Sequence, residues 1–164
     1  MERNIKYRAS AFTLVEVIIV VIIVGILAAI AVPMYTSAAS VQLSAAANIV
    51  ASDLEYAKSM AISTGKTYKV VFDTTAATEG YSLKDSLDAT ITHPVRIGQN
   101  YVVSFASDGR LNKVDITSTN FTGNTISFNY LGTPNVDSGE ILLTAEGSTM
   151  KVKIESVTGY ISIE

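Results

Sequence analysis

The feature that most constrains this chain is a run of 16 residues, 17–32, in which every residue is apolar or glycine. A short leader, residues 1–11, precedes it and carries three basic residues and one acidic residue, a net charge of +2. As a helix, residues 12–35 would extend about 36 Å, which is enough to cross a hydrocarbon core about 30 Å thick. Positive charge before such a span predicts that the leader stays cytoplasmic and the C-terminal domain lies outside.

Glu16 is the one charged residue within the predicted span, residues 12–35. A carboxylate in the middle of a bilayer costs roughly 2.5–3.5 kcal/mol on insertion scales and usually has a partner. The sequence has no Lys or Arg between Arg8 and Lys58, so the economical source of a partner is another molecule. A free α-amine created by cleavage just upstream would serve.

Residues 11–16, Ala-Phe-Thr-Leu-Val-Glu, resemble the cleavage and methylation site of type IV prepilins and type II secretion pseudopilins. The resemblance implies that a prepilin peptidase cuts between Ala11 and Phe12 and methylates the new amine of Phe12. It also implies that Glu16 docks against the N-terminal amine of a neighbouring subunit. The family usually has Gly before the cut, where this chain has Ala11.

Two simpler interpretations of the N-terminus stay open. An ordinary signal peptide would be cut at the small-x-small site of residues 29–31 and would leave a chain that starts at Val32. A plain membrane anchor would keep Met1. Neither accounts for Glu16 inside the apolar run, so we favour the prepilin interpretation, and the mass of the N-terminus separates all three.

The helical pattern continues through residues 36–65 as an amphipathic half. One apolar stripe repeats at helical spacing: Leu43, Ala47, Val50, Leu54, Ala57 and Ala61. We interpret it as a face that packs on a sheet, rather than a coiled-coil seam, because small Ala side chains allow close approach. Gly65 predicts the end of the helix. Pro33 predicts a kink and Gly25 a second weak point, since both disfavour helix interiors.

Residues 66–164 alternate apolar and polar side chains with the period of two expected of strands. The predicted strands are residues 68–72, 81–83, 125–130, 140–144, 150–155 and 160–163, with a further pair within 94–105. They predict a mostly antiparallel, meander-like sheet. The fold class is therefore α+β: a long N-terminal helix, membrane-spanning and then amphipathic, packed on a β-rich domain.

A second resemblance covers most of the chain. Residues 46–72, the segment 126–134 and the closing residues 158–161 resemble the GspH/FimT group of minor pseudopilins. The resemblance implies the pilin fold, a place at or near a filament tip, and a single-pass protein of the inner membrane whose domain faces the periplasm before assembly. Implied partners are other pilin or pseudopilin subunits, the prepilin peptidase and the inner-membrane assembly platform.

The sequence offers little for catalysis or cofactors. It has no cysteine and one histidine, His93, which excludes a Cys-based metal site and a zinc-binding His pair. We interpret His93 as an exposed loop residue, and Asp85 and Asp88 as solvated carboxylates rather than calcium ligands. We therefore expect no enzyme activity, no cofactor and no metal.

Charge argues against nucleic acid as a partner. From residue 36 onward the chain has nine basic and 13 acidic residues, a net charge of −4, whereas nucleic-acid affinity comes largely from clustered cations. The rival functions are a pilus-tip binding module, for adhesion or DNA uptake, and a membrane-anchored enzyme. The sequence does not separate a secretion system from a pilus system.

Overall fold

The computed structural model describes residues 13–75 and 78–164 and divides the chain into two compact units between Ser37 and Ala38. Within the described residues, no helix is long and apolar enough to cross a membrane. The predicted span, residues 12–35, includes Phe12 and the side chains of residues 30–35, which lie outside that description. The span therefore stays a prediction.

One helix, α1 (Leu14–Thr64), forms the N-terminal part of the described fold. It begins after Thr13, whose Oγ1 accepts the backbone N–H of Glu16 at 3.2 Å, the usual arrangement of an N-cap. It ends before Gly65, which adopts a φ of +67°. Glycine reaches that conformation without steric cost, so the predicted stop at Gly65 is confirmed.

The predicted apolar stripe of α1 forms one side of the core. Its six members are buried, and Ala39 and Ala46 extend it. They belong to one hydrophobic cluster with the inward side chains of the strands, so the interpretation as a sheet-packing face is confirmed.

In the part of the chain that the structure describes, eight strands follow in chain order: β1 (Tyr68–Asp73), β2 (Gly80–Lys84), β3 (Val102–Ser104), β4 (Asp115–Thr119), β5 (Thr125–Phe128), β6 (Ser138–Ala145), β7 (Ser148–Glu155) and β8 (Ile161–Ile163). They form two four-stranded sheets, ordered β3-β2-β1-β5 and β4-β6-β7-β8. Within each sheet, neighbouring strands pair antiparallel. Side chains alternate between core and surface, as in β6, where every second residue is buried.

The structure corrects the predicted strands in three places. The single meander is wrong, because the strands divide between two sheets. Strand β4 was not predicted, since Asp-Ile-Thr-Ser-Thr offers only one apolar side chain, Ile116. Within residues 94–105 only β3 is a strand, and the loop before it takes part in two isolated bridges, Lys84 with Thr90 and Thr92 with Asn100. The antiparallel pairing and the α+β class are as predicted.

Candidate functional site

The site that the sequence predicts is centred on Glu16 in the first turn of α1. The N–H groups at a helix start carry partial positive charge, so a carboxylate is stabilised there. Ala11 and Phe12, the predicted cleavage and methylation residues, lie outside the described residues. Gly25 and Pro33 fall within α1, and the kink predicted for them stays a prediction.

The surroundings of Glu16 are strongly apolar. Leu14, Val15 and the aliphatic residues of positions 17–24 are each about half exposed or more. Among the residues that the structure describes, no cation forms an ion pair with Glu16. The described part of the chain thus presents one carboxylate on an uncovered apolar helix, a surface suited to other apolar helices that supply a positive charge.

A second polar cluster lies between α1 and the first sheet, and no local sequence pattern predicts it. The carboxylate of Asp53 accepts the hydroxyl of Tyr81 at 2.6 Å and that of Tyr101 at 2.8 Å. Burial raises the pKa of Asp53, and the two hydrogen bonds partly offset that effect. Burial raises the pKa of Tyr81, and the nearby charge of Asp53 raises it further. Every polar atom of this cluster has a partner, so it ties the helix to the sheet.

His93 belongs to the same region, and its predicted exposure is wrong. Its ring stacks on that of Tyr101 with centroids 4.4 Å apart, and the residue is half-buried. Its Nδ1 accepts the backbone N–H groups of Val95 and Arg96, both at 3.1 Å. A histidine held by stacking and by two backbone donors positions a loop, and its Nδ1 is not available as a general base.

The acidic loop carboxylates have protein partners. Asp88 pairs with the ammonium of Lys69 at 2.8 Å, and Asp85 accepts the backbone N–H groups of Leu87 and Ala89. Across the described residues, no group of three or more His, Asp or Glu side chains is placed to hold a metal ion.

Glu79 is the one buried charged residue in the described part of the chain, with 8% of its surface exposed. It precedes β2 and its carboxyl group shares a hydrogen bond with Asp115, the first residue of β4, so the contact joins the two sheets. Burial raises the pKa of Glu79 to about 7, and the hydrogen bond and charge of Asp115 add to the effect. Two carboxyl groups this close are compatible when one proton lies between them.

This pKa predicts a pH-dependent stability. Between the ordinary value of 4.5 and about 7 the folded state holds a proton on Glu79 that the unfolded state has lost. Stability from this group therefore falls as the pH rises through that window. We expect Glu79→Gln, whose amide keeps a donor toward Asp115, to flatten the decline and to unfold at a higher temperature than wild type at about pH 8. Thermal unfolding of both proteins from about pH 5 to pH 8 measures it, and parallel curves would contradict the assignment.

Two family models match parts of this chain. Residues 6–32 match the model of the prokaryotic N-terminal methylation motif. Residues 46–158 match the model of the type II transport protein GspH. No curated protein is a significant match to the chain.

Two crystal structures of the type IV minor pilin FimU of Pseudomonas aeruginosa strain PAO1, in different crystal forms, resemble the described fold. The first has a TM-score of 0.54 and 18% identity, and the match covers 74% of this chain and 92% of FimU. The second has a TM-score of 0.53 and 17% identity, with 74% and 87% covered. The likeness confirms the predicted pilin fold, a long N-terminal helix followed by antiparallel strands.

Proposed function

Because the chain belongs to the GspH family of type II transport proteins, with an N-terminal methylation motif before the family domain, we propose that it is processed by prepilin peptidase and assembles as a minor subunit of a type II secretion or type IV pilus filament. The pilin-like character of the subunit follows from the family. The proposal adds the cleavage site, the membrane-anchored intermediate and the mode of assembly.

The observation that carries the proposal is the position of Glu16. Its carboxylate lies in the first turn of an apolar helix, and no described cation forms an ion pair with it. Cleavage between Ala11 and Phe12 would create an α-amine four residues away. We propose that the amine of a neighbouring subunit approaches Glu16 from the side of the helix and pairs with its carboxylate.

Assembly then follows from electrostatics in an apolar medium. A lone carboxylate is costly among hydrocarbon chains, and a lone ammonium is costly for the same reason. A pair is tolerated when both charges are present and hydrogen-bonded. Subunits that align Glu16 with a neighbour's amine are therefore favoured over other axial offsets, and the apolar faces of α1 pack around the pair.

Before assembly, residues 12–35 hold the processed subunit in the inner membrane with its β-rich domain on the periplasmic side. The prepilin peptidase and an inner-membrane assembly platform are the proteins it meets there. The basic leader, residues 1–11, supports this orientation because positive charge is retained on the cytoplasmic side.

Recruitment into filaments tests the proposal and distinguishes a subunit of a type II secretion filament from a subunit of a type IV pilus. The full chain is expressed with the peptidase and the subunits of either a type II secretion system or a type IV pilus. We expect the chain in the sheared filament fraction of one arm, at least about tenfold above a strain that lacks the platform, because incorporation needs partner helices to cover the apolar face of α1. Equal amounts with and without the platform in both arms would refute the proposal.

A further inference from the structure

Among the strands of the described residues, none pairs with the outer edge of β3 in the first sheet. This strand is the outermost in the order β3-β2-β1-β5. Its sequence, Val-Val-Ser, has no charge and no proline. Exposed edges of this kind are templates for pairing with another strand unless a bulge, a charge or a covering segment blunts them.

Two backbone hydrogen bonds show which groups of β3 face outward. Leu83 donates its N–H to the carbonyl of Tyr101, and Phe105 donates its N–H to the carbonyl of Glu79. Because backbone groups alternate between the two sides of a strand, Val102 and Ser104 direct theirs away from β2. The N–H of Val102 is taken by Asn100 at 2.9 Å, whereas within the described residues the N–H of Ser104 donates to no acceptor.

The other sheet edges are protected. On the far side of the first sheet, Asn135 donates its N–H to Ser127 and accepts the Ser127 N–H through its side chain, so residues 133–135 already add an extended segment to β5. In the second sheet, β4 carries a bulge between Ile116 and Ser118, and the other outer strand, β8, is followed by the charged Glu164. These are standard means of blocking an edge.

A groove of about 480 Å³ runs beside β3 and offers room for a strand. Its lining includes all three residues of β3, with Arg96 and the turn at residues 107–109. Val102 is 49% exposed, and Val95 and Ile97, which flank Arg96, are more exposed still.

The charged residues at the groove are Arg96, Asp108 and Arg110. Asp108 is neutralised by a 2.7 Å ion pair with Arg110, and the contact with that guanidinium lowers the pKa of Asp108 to about 2. Arg96 forms no ion pair within the described residues. The charge of Arg96 also acts on Asp108, so two guanidinium groups and one carboxylate leave a net positive charge beside the apolar edge, and a segment that carries a carboxylate complements it.

We propose that the free edge of β3 binds an extended segment of a different protein chain, which adds as a fifth strand and places a carboxylate against Arg96. The backbone N–H of Ser104 donates to this segment, and Val102 supplies apolar contact. This mode of recognition, β-strand addition, gives affinity through main-chain hydrogen bonds and specificity through side-chain contacts. The proposal does not depend on the assembly role of α1.

Ser104→Pro is the sharpest test, because it removes the outward N–H without breaking a bond to β2. Proline is tolerated on an edge strand when its nitrogen faces solvent. The control Ser104→Ala keeps that N–H. The probe is the labelled peptide Thr-Val-Glu-Val-Thr-Val, added to the full chain in detergent and followed by fluorescence anisotropy. We expect saturable binding to wild type and to Ser104→Ala, and an affinity at least about tenfold lower for Ser104→Pro.

A charge exchange gives an independent arm on an exposed loop. Arg96→Glu is expected to lose the Glu peptide and to prefer the matching Lys peptide, Thr-Val-Lys-Val-Thr-Val. Absence of saturable binding to wild type, or equal affinity in wild type, Ser104→Pro and Arg96→Glu, would overturn the proposal. Sedimentation of the chain alone is the last arm: a dimer that Ser104→Pro abolishes would place a second copy on the edge and would also overturn it.

Discussion

Replacement of Glu16 by Ala is expected to lower the amount of this chain in sheared filaments by more than about tenfold, because removing one member of a buried charge pair leaves the other uncompensated. The variant should still enter the membrane. An apolar side chain in that segment is cheaper to insert than a carboxylate by roughly 2.5–3.5 kcal/mol. Loss from filaments with retention in membranes would thus separate an assembly defect from an insertion defect.

A matched control lies one helical turn away. Val20→Ala shortens an aliphatic side chain of the same helix without changing charge, and incorporation within about twofold of wild type is expected, because Glu16 and the rest of the apolar face are kept. Glu16→Gln keeps the shape and loses the charge, so it should resemble Glu16→Ala if charge pairing sets the register. Immunoblots of membrane and filament fractions measure all three. Wild-type incorporation of both Glu16 variants would contradict the role of the carboxylate.

Gly80→Ala is expected to destabilise the β-rich domain by about 2–4 kcal/mol, the range of severe single substitutions. Gly80 opens β2 at a φ of +158°, and an added Cβ would overlap the backbone carbonyl of Val103 and lie 3.1 Å from the Cα of Ser104. Those atoms belong to β3, and a strand backbone has little freedom to retreat. The first sheet would have to release β3 to relieve the overlap.

The chain offers a matched control for this change as well. Among the described residues, no heavy atom lies within 4 Å of a Cβ added at Gly109, so Gly109→Ala is expected to change stability by less than about 0.5 kcal/mol. Urea unfolding of the full chain in detergent, followed by circular dichroism, measures both. Equal midpoints for the two variants would show that β2 and β3 are not held as closely as described.

Local patterns predicted the elements whose partners do not matter to their formation. The helix stripe from Leu43 to Ala61 was predictable because apolar side chains repeat at helical spacing along one face, whatever that face packs against. The predicted strands 140–144 and 150–155 are joined by a turn between β6 and β7, where Glu146 and Gly147 both adopt positive φ in a two-residue hairpin loop, a conformation that favours glycine.

Long-range pairing could not be predicted in the same way. The division into two sheets depends on which strands pair, and β5 lies beside β1 rather than beside its neighbours in sequence. Strand β4 is held by its partner β6 more than by its own composition. A short polar strand gains its hydrogen bonds from the ladder, which local sequence does not encode.

In the candidate sites, too, the local feature was predictable and the long-range contacts were not. Glu16 stood out because a charge inside an apolar run is costly wherever the run lies. The bonds of Asp53 to Tyr81 and Tyr101 span 28 and 48 positions of the chain, and no local pattern announces such a cluster. The shared hydrogen bond of Glu79 and Asp115 is hidden for the same reason, because each residue alone resembles a surface carboxylate.

The intact mass of this chain recovered from sheared filaments tests directly whether it is a processed filament subunit. We predict a subunit that begins at Phe12 with one methyl group on its α-amine and that has lost residues 1–11. A chain that begins at Met1 or at Val32, or one that is found in membranes and never in filaments, would contradict it.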